Sequence, residues 1–201
     1  MIRESAWGVR DTTRVAAFAA LITILGLPGA IPVFGGAVPI TLQTLGVMLA
    51  GTILGPSRGA ASVLVFEALV LIGLPLLSGG RGGAGVFVGP SAGYLLGWIL
   101  GVVVIGAMTS IGARGPRPWR TAAACVTGGI VVIYAVGIPV QALVTRLPLA
   151  ETALTSTVFL AGDIVKTVLA TVITLTLWRA YPRAFDRRIS SKRPVAVDLT
   201  P

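Results

Sequence analysis

The stretch VFLAGDIVKTVLATVITLTLW, residues 158–178, decides the architecture of this chain. It is long enough to cross about 30 Å of hydrocarbon as a helix and is almost wholly apolar, yet it carries Asp163 and Lys166. A charge at the centre of a membrane helix costs about 2.5–3.5 kcal/mol on insertion scales. The two residues must therefore neutralise each other or meet a ligand. Their i,i+3 spacing puts both on one helix face. If the span enters the bilayer near Thr155, Asp163 lies about 12 Å deep, with Lys166 one turn further.

The rest of the chain agrees with a bilayer setting. Of 201 residues, 55% are hydrophobic and only 11% charged, against about 25% charged in soluble domains. Six apolar segments, roughly 14–34, 40–55, 60–77, 92–111, 121–144 and 155–178, are separated by Gly- and Pro-rich breaks such as GPSRG and SGGRGGAGVFVGPSAG. The expected fold is an all-α integral membrane protein: one domain of six transmembrane helices, followed by a basic tail, 179–201. The mixed-sign N-terminal lead and the length of the apolar run favour a first span over a cleaved signal peptide.

Charge gives the orientation. With the N-terminus inside, the inner segments hold Arg3, Arg10, Arg14, Arg58, Arg114, Arg117 and Arg120, and the tail adds Arg179, Arg183, Arg187, Arg188, Lys192 and Arg193. The outer connectors hold only Arg81 and Arg146. This asymmetry places both termini in the cytoplasm and explains the net charge of +9 without nucleic acid. On this topology Asp163 and Lys166 form a polar floor beneath an outward-facing pocket. Arg81, set among glycines that let backbone approach a ligand closely, suits a carboxylate, which it can grip with two hydrogen bonds. Thr41, Gln43 and Thr44 lie within a turn of the same surface. Glu67, about 10 Å in from the inner side, could carry a proton, reach Lys166 or face a partner.

Other chemistries find little support. The chain has no histidine and a single cysteine, Cys125, which leaves no metal cluster and no His-activated nucleophile. Gly80, Gly82 and Gly85 match G-x-G-x-x-G, but between membrane spans rather than after a strand, so this is no dinucleotide site. No phosphate-binding P-loop motif occurs. An intramembrane hydrolase would need a Ser–Lys arrangement around Lys166, with no serine beside it in sequence. In the first span, Ala16 and Ala20 are spaced small-xxx-small, which permits close helix approach within the monomer or to a partner membrane protein.

Three stretches, VPITLQTLGVMLAGTILGPSRGA, GLPLLSGGRGGAGVFVGPSAGYLLGW and AGDIVKTVLA, resemble in order and spacing the BioY family, the biotin-specific S components of energy-coupling-factor (ECF) transporters. At 91–93 this chain has Ser-Ala-Gly where the family pattern has Thr-Gly-Gly. The resemblance covers residues 14–178. It implies six helices in the cell membrane around a biotin pocket, no cofactor, and partnership with a transmembrane coupling subunit and an ATPase pair, with Ala16 and Ala20 docking on the former. Biotin also fits the residues read above: Asp163 and Lys166 are complementary to its ureido ring and Arg81 to its valerate carboxylate, with Gln43, Tyr94, Gly80 and Gly82 as further candidates for lining the pocket. Pocket polarity alone would allow another small vitamin.

Overall fold

A computed structural model describes residues 7–27, 41–109 and 115–185. Residues 28–34 of the first expected span, Ile40, positions 110–111 and most of the basic tail (186–201) lie outside the described residues. The described chain is helical: α1 (Val9–Ile24), α2 (Gln43–Leu71), α3 (Ala92–Thr109), α4 (Pro118–Val126), α5 (Ile133–Thr145), α6 (Leu149–Ser156) and α7 (Val158–Ala180). A π-helical segment, Thr127–Val132, joins α4 to α5 without a break. Among the described residues, four stretches are long and apolar enough to cross a membrane: Gln43–Leu71, Ala92–Thr109, Pro118–Thr145 and Val158–Ala180.

The longest of these is not a single rod. Gly55 adopts φ 79° and ψ −174°, a conformation open essentially to glycine alone, and Pro56 follows it. A straight 29-residue helix would hold its ends about 42 Å apart, yet the Gln43 amide nitrogen lies 3.1 Å from the Leu76 carbonyl oxygen, only five residues beyond Leu71. A Cβ on Gly59 would stand 3.1 Å from the carbonyl oxygen of Ala50. The element therefore doubles back at Gly55–Pro56 into two antiparallel arms, matching the break expected at GPSRG.

One end of the molecule gathers the start of α1, the α2 reversal and the end of α3. Asp11, in the first turn of α1, accepts from the Gly8 amide and from Arg58, whose Nε lies 3.0 Å from Oδ1 and Nη2 3.2 Å from Oδ2. Gly106 sits so close to the reversal that a Cβ would fall 2.3 Å from Pro56 N. The opposite end holds Gln43, the 72–91 connector and α6.

The face that α7 turns inward identifies the solvent around the protein. Its buried residues are Asp163, Lys166, Thr167, Ala170, Thr171 and Thr174, while Ile164, Val165, Val168, Leu169, Val172 and Ile173 are exposed. A helix with polar residues inside and aliphatic residues outside is built for lipid, since water would reverse the preference. It runs parallel to the first arm of α2: Lys166 reaches Thr44 and Thr174 reaches Thr52, each at 2.9 Å.

Helices α3 and α5 run antiparallel with almost no space between backbones. Gly93 faces Gly137 and Gly97 faces Ile133, while a Cβ on Gly128, in the π segment, would lie 2.5 Å from the Gly101 carbonyl oxygen. Such glycine-lined approach is how helices associate closely in lipid. Gly128→Ala is expected to destabilise the purified protein by about 1–3 kcal/mol, because backbone rather than a flexible side chain must move. A thermal midpoint equal to wild type would disprove this packing.

Candidate functional site

Asp163 and Lys166 form a buried ion pair, Nζ to Oδ1 2.9 Å, with side chains 6% exposed. Neighbouring helices complete the group. Lys166 donates a second hydrogen bond to Thr44 Oγ1, and the Tyr134 hydroxyl donates to Asp163 Oδ2 at 2.5 Å. Three elements, the first arm of α2, α5 and α7, thus converge on one polar cluster in an apolar core. Both carboxylate oxygens are engaged, and of the three ammonium hydrogens two have acceptors.

A second polar cluster adjoins the first through the Tyr94 ring, which stands edge-on to Tyr134 (centroids 6.3 Å apart) and to Phe159 (6.4 Å). The Tyr94 hydroxyl donates to Gln141 Oε1 at 2.8 Å and lies 3.1 Å from Ser156 Oγ. One turn before Tyr94, Ser91 Oγ accepts from Arg81 Nη1 at 3.3 Å. A series of contacts thus links the ion pair through Tyr134 to Tyr94, and Ser91, one turn before Tyr94, holds Arg81 of the 72–91 connector.

That connector is shaped by its glycines. Leu77 and Arg81 exchange backbone hydrogen bonds across a tight turn in which Gly79 (φ 78°) and Gly80 (φ 70°) are left-handed. A Cβ on Gly82 would fall 2.2 Å from the Leu74 carbonyl oxygen, so only glycine fits. The turn presents Arg81 partly buried, with its Nε donating to Ser78 O at 3.4 Å. Among the described residues no carboxylate pairs with it, and burial lowers its pKa from the ordinary arginine value. A partly desolvated cation with only neutral partners is well placed to receive an anion.

Gln43 occupies a different position from these groups. It is 1% exposed, and its amide donates to Ile22 O and Leu76 O while accepting from Ser78 N at 3.2 Å. Its visible work is to tie α1 and the connector to α2. Ser78 Oγ, next to it, is buried without a hydrogen-bond partner among the described residues. Glu67 is buried on the second arm of α2; among the described residues its Oε1 has no hydrogen-bond partner, and it does not join Lys166. On α1 the inward face is Val15, Ala19 and Ile22, whereas Ala16 and Ala20 are exposed. The small-residue pair therefore faces away from the monomer core. Tyr134, Gln141 and Ser156 were not anticipated from the sequence; a tyrosine and a glutamine inside an apolar span were the signals present.

Comparison with known proteins places this arrangement in context. A family model described as the BioY family matches residues 2–183. The biotin transporter BioY of Rhodobacter capsulatus is 44% identical over 189 residues, spanning 89% of this chain and 98% of the relative. That of Rhizobium etli is 43% identical over 178 residues, spanning 86% and 95%. A crystal structure of the S-component for biotin from an ECF-type ABC transporter superposes with a TM-score of 0.80 at 36% identity, covering 85% of this chain and 92% of that one. With a family match across most of its length and relatives this similar, the chain belongs to the BioY family.

Proposed function

We propose that this protein is the biotin-binding membrane subunit of a biotin uptake system. It would span the cytoplasmic membrane six times, with both termini inside and the Arg81 end of the site facing out. The observation that carries the reading is the buried Asp163–Lys166 pair, joined by Tyr134 and Thr44, together with Arg81, which has no acidic partner among the described residues. The six crossings are supported by the reversal of α2, which makes two arms of one helix, and by the apolar α1. The orientation is supported by the clustering of Arg and Lys on one side.

Biotin complements such a site. Its ureido ring offers two N–H donors and one carbonyl acceptor, to be met by Asp163 and by the remaining Lys166 donor. Its valerate carboxylate would extend to Arg81. Tyr94 provides an apolar wall with its hydroxyl already held, while Gly80 and Gly82 bring the connector backbone close. Gln43 supports the connector from behind. Transport would be driven by an ECF coupling subunit and an ATPase pair, with the exposed Ala16–Ala20 face as the docking surface. A Ser–Lys hydrolase gains no support, because Lys166 is bound to Asp163 and Thr44.

Equilibrium binding of labelled biotin to the detergent-purified protein tests this, with a panel of other vitamins as competitors. Saturable binding displaced by biotin alone is expected, and its absence in folded protein would remove the assignment. Arg81→Ala should weaken biotin by roughly 10-fold or more, as for loss of a charged hydrogen bond, and should weaken the uncharged biotin amide much less. Equal losses for acid and amide would take Arg81 out of the carboxylate role.

A further inference from the structure

We infer that Tyr134 is a positioning and specificity-determining residue for the ligand group that meets Asp163, an inference that rests on the biotin reading above. Lys166 holds one carboxylate oxygen, Oδ1, from the same helix face. With that bond alone the carboxylate could still swing about its terminal torsion, which is broad. Tyr134 takes the other oxygen from a different helix, and with both oxygens held from two elements the plane of the carboxylate is fixed.

Direction matters as much as position. The phenol has a single hydrogen, and it is given to Asp163. Its oxygen therefore meets any ligand as an acceptor, as the carboxylate does. On the other side of the cluster Thr44 Oγ1 accepts from Lys166, so the threonine hydrogen and the third ammonium hydrogen remain as donors. A row of acceptors beside a row of donors matches a cyclic urea, whose ring nitrogens donate and whose carbonyl accepts. It rejects a ring in which one nitrogen carries no hydrogen, because a buried acceptor is then left unmet.

The aim of Tyr134 is set by the backbone. The π-helical turn at Thr127–Val132, immediately before it, closes i→i+5 rings. Each such insertion rotates the following residues by one position, about 100° relative to an uninterrupted α-helix. The π turn packs glycine to glycine on α3 at Gly101–Gly128, and the Tyr134 ring is braced edge-on by Tyr94, itself held by Gln141 and Ser156. An irregular turn that directs a tyrosine onto a buried carboxylate follows the association of π turns with functional sites.

The test is biotin affinity in full-length protein against that of a biotin analogue methylated on one ureido nitrogen, with thermal melting as a control. Tyr134→Phe is expected to weaken biotin roughly 10- to 100-fold, as for loss of one hydrogen bond to a charged group, and to weaken the analogue less, so that the preference between them shrinks. In an Asp163→Asn background the same change should cost clearly less than it does in wild type, since the part of the effect that runs through the carboxylate is already lost. Equal loss for both ligands, or no loss, would overturn the inference while leaving the biotin reading intact. Failure of folded wild-type protein to bind biotin would overturn both. If Tyr134→Phe does not fold, p-aminophenylalanine at 134 keeps the ring and a donor toward Asp163. Its preference for biotin over the analogue should fall below that of wild type, and an unchanged preference would again overturn the inference.

Discussion

Asp163→Asn and Lys166→Met are each expected to reduce biotin affinity roughly 100-fold or more, since removing one partner of a buried pair typically costs 3–5 kcal/mol. Part of that cost falls on stability. Asp163→Asn leaves an ammonium whose remaining partner, Thr44, is neutral, and Lys166→Met leaves a carboxylate held, among the described residues, by the Tyr134 hydroxyl alone. The informative variant is therefore the double substitution. Replacing a buried pair as a unit is often neutral or stabilising, so Asp163→Asn combined with Lys166→Met should melt near wild type. If the pair meets the ureido ring, the double variant stays folded and fails to bind. If the pair is only a self-neutralising device within the membrane, binding returns with stability. Affinity and thermal midpoint measured on all four proteins separate the two, and binding that survives both single changes would make the pair structural.

What could be read from the sequence, and what could not, follows from the range of each signal. Lipid exposure is a property of single segments, so hydropathy located the four stretches long and apolar enough to cross a membrane, whereas the short α6 was not expected. The Gly55–Pro56 reversal was visible as punctuation, because glycine and proline act on their own backbone. The Asp163–Lys166 bond was legible because three residues on a helix have only one geometry. That Ala16 and Ala20 face outward was left open, since small residues serve internal and external packing equally well.

The remainder of the site joins residues far apart along the chain. Tyr94 meets Gln141 and Ser156 across separations of 47 and 62 residues, and no periodicity pairs them. Tyr134 was hidden for a further reason. An uninterrupted 3.6-residue period through Pro118–Thr145 gives it the wrong phase, and the sequence TGGIVV does not announce a π turn. Gln43 carried an ambiguous signal: a polar residue at the end of a span suits a ligand or a backbone carbonyl equally, and here its amide is engaged by the backbone.

Tryptophan at both Ala16 and Ala20 should abolish biotin uptake in cells that also express the coupling subunit and ATPase pair, while leaving biotin binding within about twofold of wild type. The asymmetry comes from where the two residues sit. Helix α1 packs on the rest of the protein through Val15, Ala19 and Ile22, and its first turn is fastened by the Asp11–Arg58 pair. Neither contact involves the exposed alanines, so a large side chain there meets lipid or a partner but not the core. Indole in lipid is tolerated, and the thermal midpoint should not change. Against a partner helix the same indole prevents the backbone approach that small residues permit, and the free energy of packing is lost with it. Copurification with the coupling subunit should fail in parallel with uptake. A matched control is Val168→Trp, equally lipid-facing on α7, which should leave both binding and uptake intact. Uptake that persists in the Ala16/Ala20 double variant would remove this face from the docking surface. Loss of uptake in the Val168 control as well would show that the assay reads general disturbance of the membrane face rather than a specific interface.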